Sequence, residues 1–204
     1  MYPKHIFKAY DIRGLVEGEL SEDIAWHIGH AFAHILKQKG VMLKGRSVVV
    51  GYDMRPTSIP FSKKVIEGIR AQGVSVVDIG LTSTPVFNFA CAHYPEHAGG
   101  IMVTASHNPA DYNGMKFVRE GSLPVSADTG LLAIKRLAEL NEFTAPATRG
   151  SIDFADLRGA YLAKLLSFVD VEKLQPLKIV CNAGNGGAGA TVDLLESLLP
   201  FELI

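Results

Sequence analysis

Apolar and polar positions alternate along this chain in two rhythms. Ile24, Ile28, Ala31 and Ile35 recur at i, i+4, i+7 and i+11, the spacing of one helix face, and predict a helix over 21–39. "RSVVVGYD" (46–53) is instead an unbroken β-branched run closed by glycine, the mark of a buried strand. The two rhythms then take turns. Ser58 is placed to cap a helix carrying Val65, Ile66 and Ile69. "GVSVVDIG" (73–80) is a second strand, and a helix starting at 82–85 runs through Phe89 and Ala92. "GGIMVTA" (99–105) is a third strand and "GMKFV" (114–118) a shorter fourth. Residues 127–140 read as helix, with Leu131, Ile134 and Leu137 as the apolar stripe.

The texture changes at "NEFTAPATRGS" (141–151), which is polar, holds proline and glycine and lacks periodicity. Beyond it the pattern predicts a helix with Leu157, Tyr161, Leu165 and Phe168 on one face. The strand "LKIVCNA", a glycine loop, a helix near 187–199 and the opening of a strand at "FELI" follow. Strands alternating with helices argue for an α/β fold, a three-layer αβα domain with a mostly parallel (mixed) sheet. That domain is expected over 1–140, a linker over 141–152, and the incomplete start of a second similar α/β domain over 153–204. One βα unit cannot close a sheet of its own, so the sequence reads as a piece of a longer protein.

Composition narrows the function classes. The chain has 204 residues, 48% of them hydrophobic, and a formal charge of -1. Such a chain can build a core and carries no broad basic field for nucleic acid or an anionic membrane. Cys91 and Cys181 lie far apart in no metal spacing, as expected of a reduced, cytoplasmic protein. The opening "MYPKHIFKAYDIRG" has no apolar signal core, and no apolar run reaches the roughly 18 residues of a membrane span.

The chemistry concentrates at "GGIMVTASHNPADYNGMKF" (99–117). Ligands of such sheets bind beyond the carboxyl ends of the strands, and here the strand runs into Ser106, His107 and Asn108. Pro109 pushes Asn108 away from helical conformations, which fixes the loop and turns Ser106 outward. Asn113-Gly114 reads as a turn that brings Lys116 back on the next strand. A serine hydroxyl near a lysine ammonium suits phosphoryl transfer, where positioning and charge stabilisation dominate. Spacing alone favours a plain polar loop over that chemistry. No G-x-S-x-G surrounds Ser106, which disfavours a hydrolase elbow.

"TASHNP" resembles the active-site serine loop of the α-D-phosphohexomutases, the phosphomannomutase/phosphoglucomutase family. "FKAYDIRG" (7–14), "GYDMRPTS" (51–58), "LTSTP" (81–85), "DYNGMKF" (111–117) and "LKIVCNAGNGGAG" (177–189) resemble further family motifs in family order. The resemblance implies that Ser106 is carried as a phosphoserine. It would interconvert hexose 1-phosphate and hexose 6-phosphate through a bisphosphorylated sugar, with a hexose 1,6-bisphosphate as activator. It implies that Arg13 and Lys116 surround the phosphoserine, that His107 lies beside it, and that Tyr10 and Asn108 shape the substrate pocket. Asp53 and Arg55 are expected to order the loop at the strand end and do no chemistry. The family's Mg²⁺ is held by three aspartates of a D-G-D-x-D-R loop and a phosphoserine oxygen. Only Ser106, through its phosphate, is present here to serve it, since that aspartate run is missing from the sequence. The expected partners are hexose phosphates and the missing downstream domains of the same polypeptide, with no turnover by this piece alone.

Two other readings stay open at this point. Gly184-Asn185-Gly186-Gly187-Ala188-Gly189 fits G-x-G-x-x-G between a strand and a helix, the fingerprint of a dinucleotide (NAD) site; it also suits a glycine turn that lets a helix pack closely. A non-catalytic sugar-phosphate binding module is the other.

Overall fold

The computed structural model describes residues 2–40, 45–142, 146–184 and 186–204. Along the chain come β1 (Asp11–Leu15), α1 (Glu22–Gln38), β2 (Ser47–Tyr52), α2 (Ser58–Ala71) and β3 (Ser75–Leu81). Next are α3 (Thr84–His93), β4 (His97–Val103), β5 (Tyr112–Arg119) and the two-residue β6 (Leu123–Pro124). A helical turn (Ala127–Leu131) leads into α4 (Leu132–Leu140), followed by β7 (Ile152–Phe154) and α5 (Arg158–Leu166). The chain ends with β8 (Lys178–Ile179), α6 (Gly189–Glu196) and β9 (Glu202–Leu203).

The main sheet runs β1-β5-β4-β2-β3-β7, with β6 attached to β5. Strands β2, β3, β4 and β7 are parallel, and β5 runs antiparallel to both β4 and β1. The two runs richest in β-branched and small apolar residues, β2 and β4, take the centre, where both faces are covered. Alternation along the strands divides the core. Val48, Val50, Ile101, Val103, Met115 and Phe117 meet α1, α2 and α4 on one face. Val49, Met102 and Val118 meet Phe87, Ala90 and Cys91 of α3 on the other. This is the expected three-layer α/β architecture with a mixed sheet. Helix α1 begins where Ser21 accepts the Ile24 N–H at 3.2 Å, with Glu22 and Asp23 in the first turn favouring the positive end of the helix dipole. Helices α1 and α2 approach closely through Gly68, where an added Cβ would lie 2.1 Å from the Trp26 carbonyl oxygen.

Several expectations change. Asn113-Gly114 is no turn: both residues lie inside β5, paired with Gly14 and Arg13 of β1. Asn113 is fully buried, and a Cβ on Gly114 would fall 2.0 Å from the Ile12 carbonyl oxygen. Glycine there serves the close approach of two strands rather than a reversal of direction. Ser58 does not cap α2. It is the first helical residue after Thr57, and its hydroxyl donates to Asp53 Oδ1 at 2.6 Å. The stretch "DIRGL", whose apolar pattern is broken by Asp11 and Arg13, pairs as β1 along β5. Residues 152–154, expected around the end of the linker, add β7 to the edge of the main sheet beside β3; residues 143–145 of that linker lie outside the described residues. Phe168 falls beyond the end of α5 and is 69% exposed, whereas Leu162 is the buried residue of that helix. Of "LKIVCNA" only Lys178–Ile179 forms a strand, parallel to β9 across α6, so the expected βαβ order is present in short form.

Candidate active site

The site is built on the hairpin connection from β4 to β5, at the carboxyl end of β4. The last ladder pair is Val103 with Met115, and the Thr104 N–H still donates to the Gly114 carbonyl at 3.0 Å. The chain then leaves the sheet through two successive turns, in which Asn108 N–H donates to Ala105 O and Tyr112 N–H to Pro109 O, both at 3.1 Å. Ser106 sits at the first of them with φ 54°, a left-handed backbone that non-glycine residues rarely adopt. Its N–H donates to Thr104 Oγ1 at 2.9 Å, and its side chain is exposed. His107 Nδ1 lies 3.5 Å from Ser106 Oγ, the outer edge of hydrogen-bond range.

Two arginines from earlier in the chain hold this loop, Arg13 of β1 and Arg55 just before α2. Arg13 Nη1 donates to the Ala105 carbonyl at 2.6 Å and to the Asn108 side-chain carbonyl. Its Nε and Nη2 donate to Asp11 Oδ2 at 2.9 and 2.7 Å. Asp11 and Arg13 are two apart on β1 and so share a face. Arg55 is bound still more completely. Nη1 donates to the carbonyls of Pro109 (2.6 Å) and Tyr112 (3.0 Å), Nη2 to those of Ser106 (3.2 Å) and Asn108 (2.6 Å), and Nε lies 3.4 Å from Asp53 Oδ2. The Asp53 carboxylate also accepts the Arg55 backbone N–H at 3.1 Å and the Ser58 hydroxyl.

The sequence-predicted residues thus divide. Ser106, His107, Asn108 and Arg13 come together at one loop, where Arg13 bonds Asn108 and His107 lies beside Ser106. Lys116 stands on β5 in register with Asp11 of β1 and Met102 of β4, one ladder position inside the point where the loop leaves the sheet. It therefore shares the sheet face of Asp11 and Arg13. Tyr10 precedes β1 and is 71% exposed. A cleft of about 890 Å³ opens between residues 53–56, the start of α3 at 82–84 and the glycine turn at 186–188. Among the described residues its walls include Ser106, His107 and Asn108, while Arg13, Lys116 and Tyr10 are not part of them. Across the cleft, a Cβ on Gly187 would come within 3.3 Å of the Thr82 carbonyl oxygen, so that glycine permits close packing against the start of α3. Asn185 of the same glycine run lies outside the described residues.

No group of three or more His, Cys, Asp or Glu gathers among the described residues. Octahedral Mg²⁺ demands several converging oxygens, and the side chains of the described residues do not assemble a complete set of them. Among the described residues no helix is long and apolar enough to cross a membrane. Asp53 and Arg55 order the loop as expected, but sequence spacing gives neither the Asp11 partner of Arg13 nor the four carbonyls that Arg55 grips. An acidic and a basic residue two apart on one strand was the signal available for the first; the second brings together residues more than fifty positions apart, which spacing does not reveal.

Comparisons with known proteins agree with this architecture. Residues 4–145 match the family model described as phosphoglucomutase/phosphomannomutase, alpha/beta/alpha domain I. A phosphomannomutase of Salmonella typhimurium is 49% identical over 195 residues, covering 95% of this chain and 41% of that protein. A Xanthomonas campestris protein named phosphohexose mutases is 48% identical over 198 residues, 97% of this chain and 42% of its own. The crystal structure of a phosphoglucomutase/phosphomannomutase family protein from Burkholderia thailandensis aligns with a TM-score of 0.89 at 34% identity, over 100% of this chain and 44% of that one. The chain therefore spans less than half the length of these relatives.

Proposed function

The chain belongs to the phosphoglucomutase/phosphomannomutase family, and from that premise we propose that Ser106 carries the migrating phosphoryl group of a hexose-phosphate mutase. The observation that carries the reading is the placement of Ser106. Its exposed hydroxyl stands on a left-handed backbone at a cleft wall, on a loop pinned by Arg13 and Arg55. A phosphoryl carrier needs such a fixed, accessible oxygen.

In the proposed reaction the P–Oγ bond of phosphoserine 106 breaks as a hydroxyl oxygen of a hexose monophosphate bonds to phosphorus. The hydroxyl proton ends, in net terms, on the serine oxygen. The hexose 1,6-bisphosphate so formed then returns its other phosphoryl group to Ser106, leaving the isomeric monophosphate. The phosphoserine adds about 1.5 to 2 negative charges. Arg13, whose guanidinium borders the loop, and Lys116, on the same sheet face, are assigned the cationic compensation. His107 is within reach of the serine oxygen and is assigned to bonding the phosphate or holding the travelling proton; Tyr10 and Asn108 are assigned to shaping the substrate pocket. Mg²⁺ bound at a phosphate oxygen would neutralise charge; its carboxylate ligands are proposed to lie outside this sequence. The chain is read as the amino-terminal part of a cytoplasmic mutase, active on glucose or mannose phosphates only together with further domains. Nothing in the geometry favours a dinucleotide or a purely binding role over this one.

Replacement of Ser106 by alanine in the complete mutase tests the reading. Loss of glucose 6-phosphate formation from glucose 1-phosphate, with disappearance of the phosphoryl increment from the intact mass, is expected. Undiminished turnover by Ser106→Ala would overturn it.

A further inference from the structure

Arg55 is committed to the protein in every direction. A guanidinium has five N–H donors in a fixed fork. Here four meet the carbonyl oxygens of Ser106, Asn108, Pro109 and Tyr112, and the fifth faces the Asp53 carboxylate. No donor is left for a substrate phosphate. Arg13 differs, because its four bonds, to Asp11, Ala105 and Asn108, leave one of its five donors uncommitted. The two cations beside the loop therefore have different work.

What Arg55 holds is the loop's backbone, and it holds it through a closed circuit. The Asp53 carboxylate that orients the guanidinium accepts the Ser58 hydroxyl at 2.6 Å. Ser58 Oγ accepts from Asn113 Nδ2 at 3.0 Å, and Asn113 lies on β5, the strand into which the loop returns. The circuit thus runs from β5 through the start of α2 to Asp53 and Arg55, and back through the loop to β5. The carbonyls it collects include that of Ser106 itself, whose φ of 54° would otherwise relax toward the ordinary negative-φ regions.

We infer that Arg55 is a positioning residue that fixes the left-handed backbone of Ser106, and with it the line of attack of the phosphoryl group. The inference rests on the reading of Ser106 as the phosphoryl carrier. Because Arg55 touches only backbone carbonyls and Asp53, it acts on the rate of transfer and not on the grip on the sugar. A misplacement of about 1 Å at a reacting atom costs on the order of 100-fold in rate.

The test compares Arg55→Ala and Arg55→Lys in the complete enzyme, with Ser106→Ala alongside. We expect kcat to fall about 100-fold in Arg55→Ala, with KM for glucose 1-phosphate changed less than about threefold. Lysine should recover little, since one ammonium cannot span four carbonyls of that fork. Added methylguanidinium should restore Arg55→Ala at least tenfold, whereas ethylammonium at the same concentration should not. Unchanged kcat in a folded Arg55→Ala enzyme, or a loss confined to KM, overturns the inference. Should Arg55→Ala fail to fold, Ser58→Ala decides: it frees Asp53 without touching the guanidinium, and a kcat drop of about tenfold at constant KM supports the circuit while an unchanged kcat refutes it. If Ser106→Ala also keeps full turnover, the phosphoserine reading fails. If Ser106→Ala is dead and Arg55→Ala is unimpaired, only the positioning role does.

Discussion

The carboxamide of Asn113, buried within β5, donates to the hydroxyl of Ser58 at the start of α2 across 3.0 Å. The same nitrogen reaches Thr57 Oγ1 at 2.8 Å, and its oxygen accepts the Gly114 N–H at 2.8 Å. Asn113→Ala would strand these groups away from water. We expect a loss of about 2 to 3 kcal/mol in unfolding free energy, because buried donors left unpaired carry their full desolvation cost. A urea midpoint within error of the unmodified chain would contradict this.

Two glycines of unlike surroundings, one at the crossing of α1 and α2 and one in α5, give a second test. Gly68→Ala would place a methyl group 2.1 Å from the Trp26 carbonyl oxygen. Overpacking a helix crossing by backbone contact should cost roughly 3 kcal/mol. Gly159, in α5, has nothing within 4 Å of an added Cβ. Gly159→Ala should therefore be neutral or stabilising by about 0.5 to 1 kcal/mol, through helix propensity alone. Thermal unfolding of the pair reads both signs.

The stability of the chain should fall on mild acidification. Burial, with His27 and His34 adding like-charge repulsion, pushes the His30 imidazole down from 6.5 to about 4. Its ring stacks on Trp26 at 4.7 Å and meets Gln72 Nε2 at 2.8 Å. Between those pH values the unfolded chain binds a proton that the folded chain refuses. The contribution is thus fully present above about pH 6.5 and is lost as pH falls through about 4. His97, lowered chiefly by its own burial, acts in the same sense. Urea midpoints measured across this window should drop, and the drop should be smaller in His30→Gln. An equal slope in that variant would refute the assignment to His30.

The two cysteines should differ sharply in reactivity. Cys91 is buried on the sheet-facing side of α3, and burial pushes its thiol up to about 12, whereas Cys181 is exposed. The thiolate is the reactive form. At pH 8 an aromatic disulfide reagent should modify one thiol per native chain and two after denaturation. Rapid modification of both in the native protein would show that the α3 layer opens readily.

How far these features can be read from residues alone depends on whether neighbours in space are neighbours in sequence. Strands β2 and β4 are legible because burial on both faces makes them nearly continuous apolar runs, and β3 because Val76, Val77 and Ile79 keep it apolar around Asp78. Strand β1 is not, because Asp11 and Arg13 interrupt it; its inward residue Ile12 is buried while the alternate positions serve the loop. Asn113-Gly114 carries the local signature of a hairpin turn, yet tertiary contacts claim both residues, one for its carboxamide and one for its missing Cβ. β7, Ile-Asp-Phe, is three residues long and mostly exposed, too short for any periodicity. Ser106, His107 and Asn108 stand out because they are adjacent. The four carbonyls gathered by Arg55 could not, since nothing in a carbonyl's sequence position marks it as an acceptor.

The carboxyl-terminal stretch has a consequence of its own. Among the described residues after Phe154, Leu162 alone is buried, while Leu177, Val180 and Ile204 remain more than half exposed. Amides there lean on little besides short-range helix and β8–β9 pairing. Deuterium should enter them through local openings far faster than it enters β2 and β4, whose amides wait for global unfolding. A limited digest should trim this stretch back toward β7 before it touches the serine hairpin.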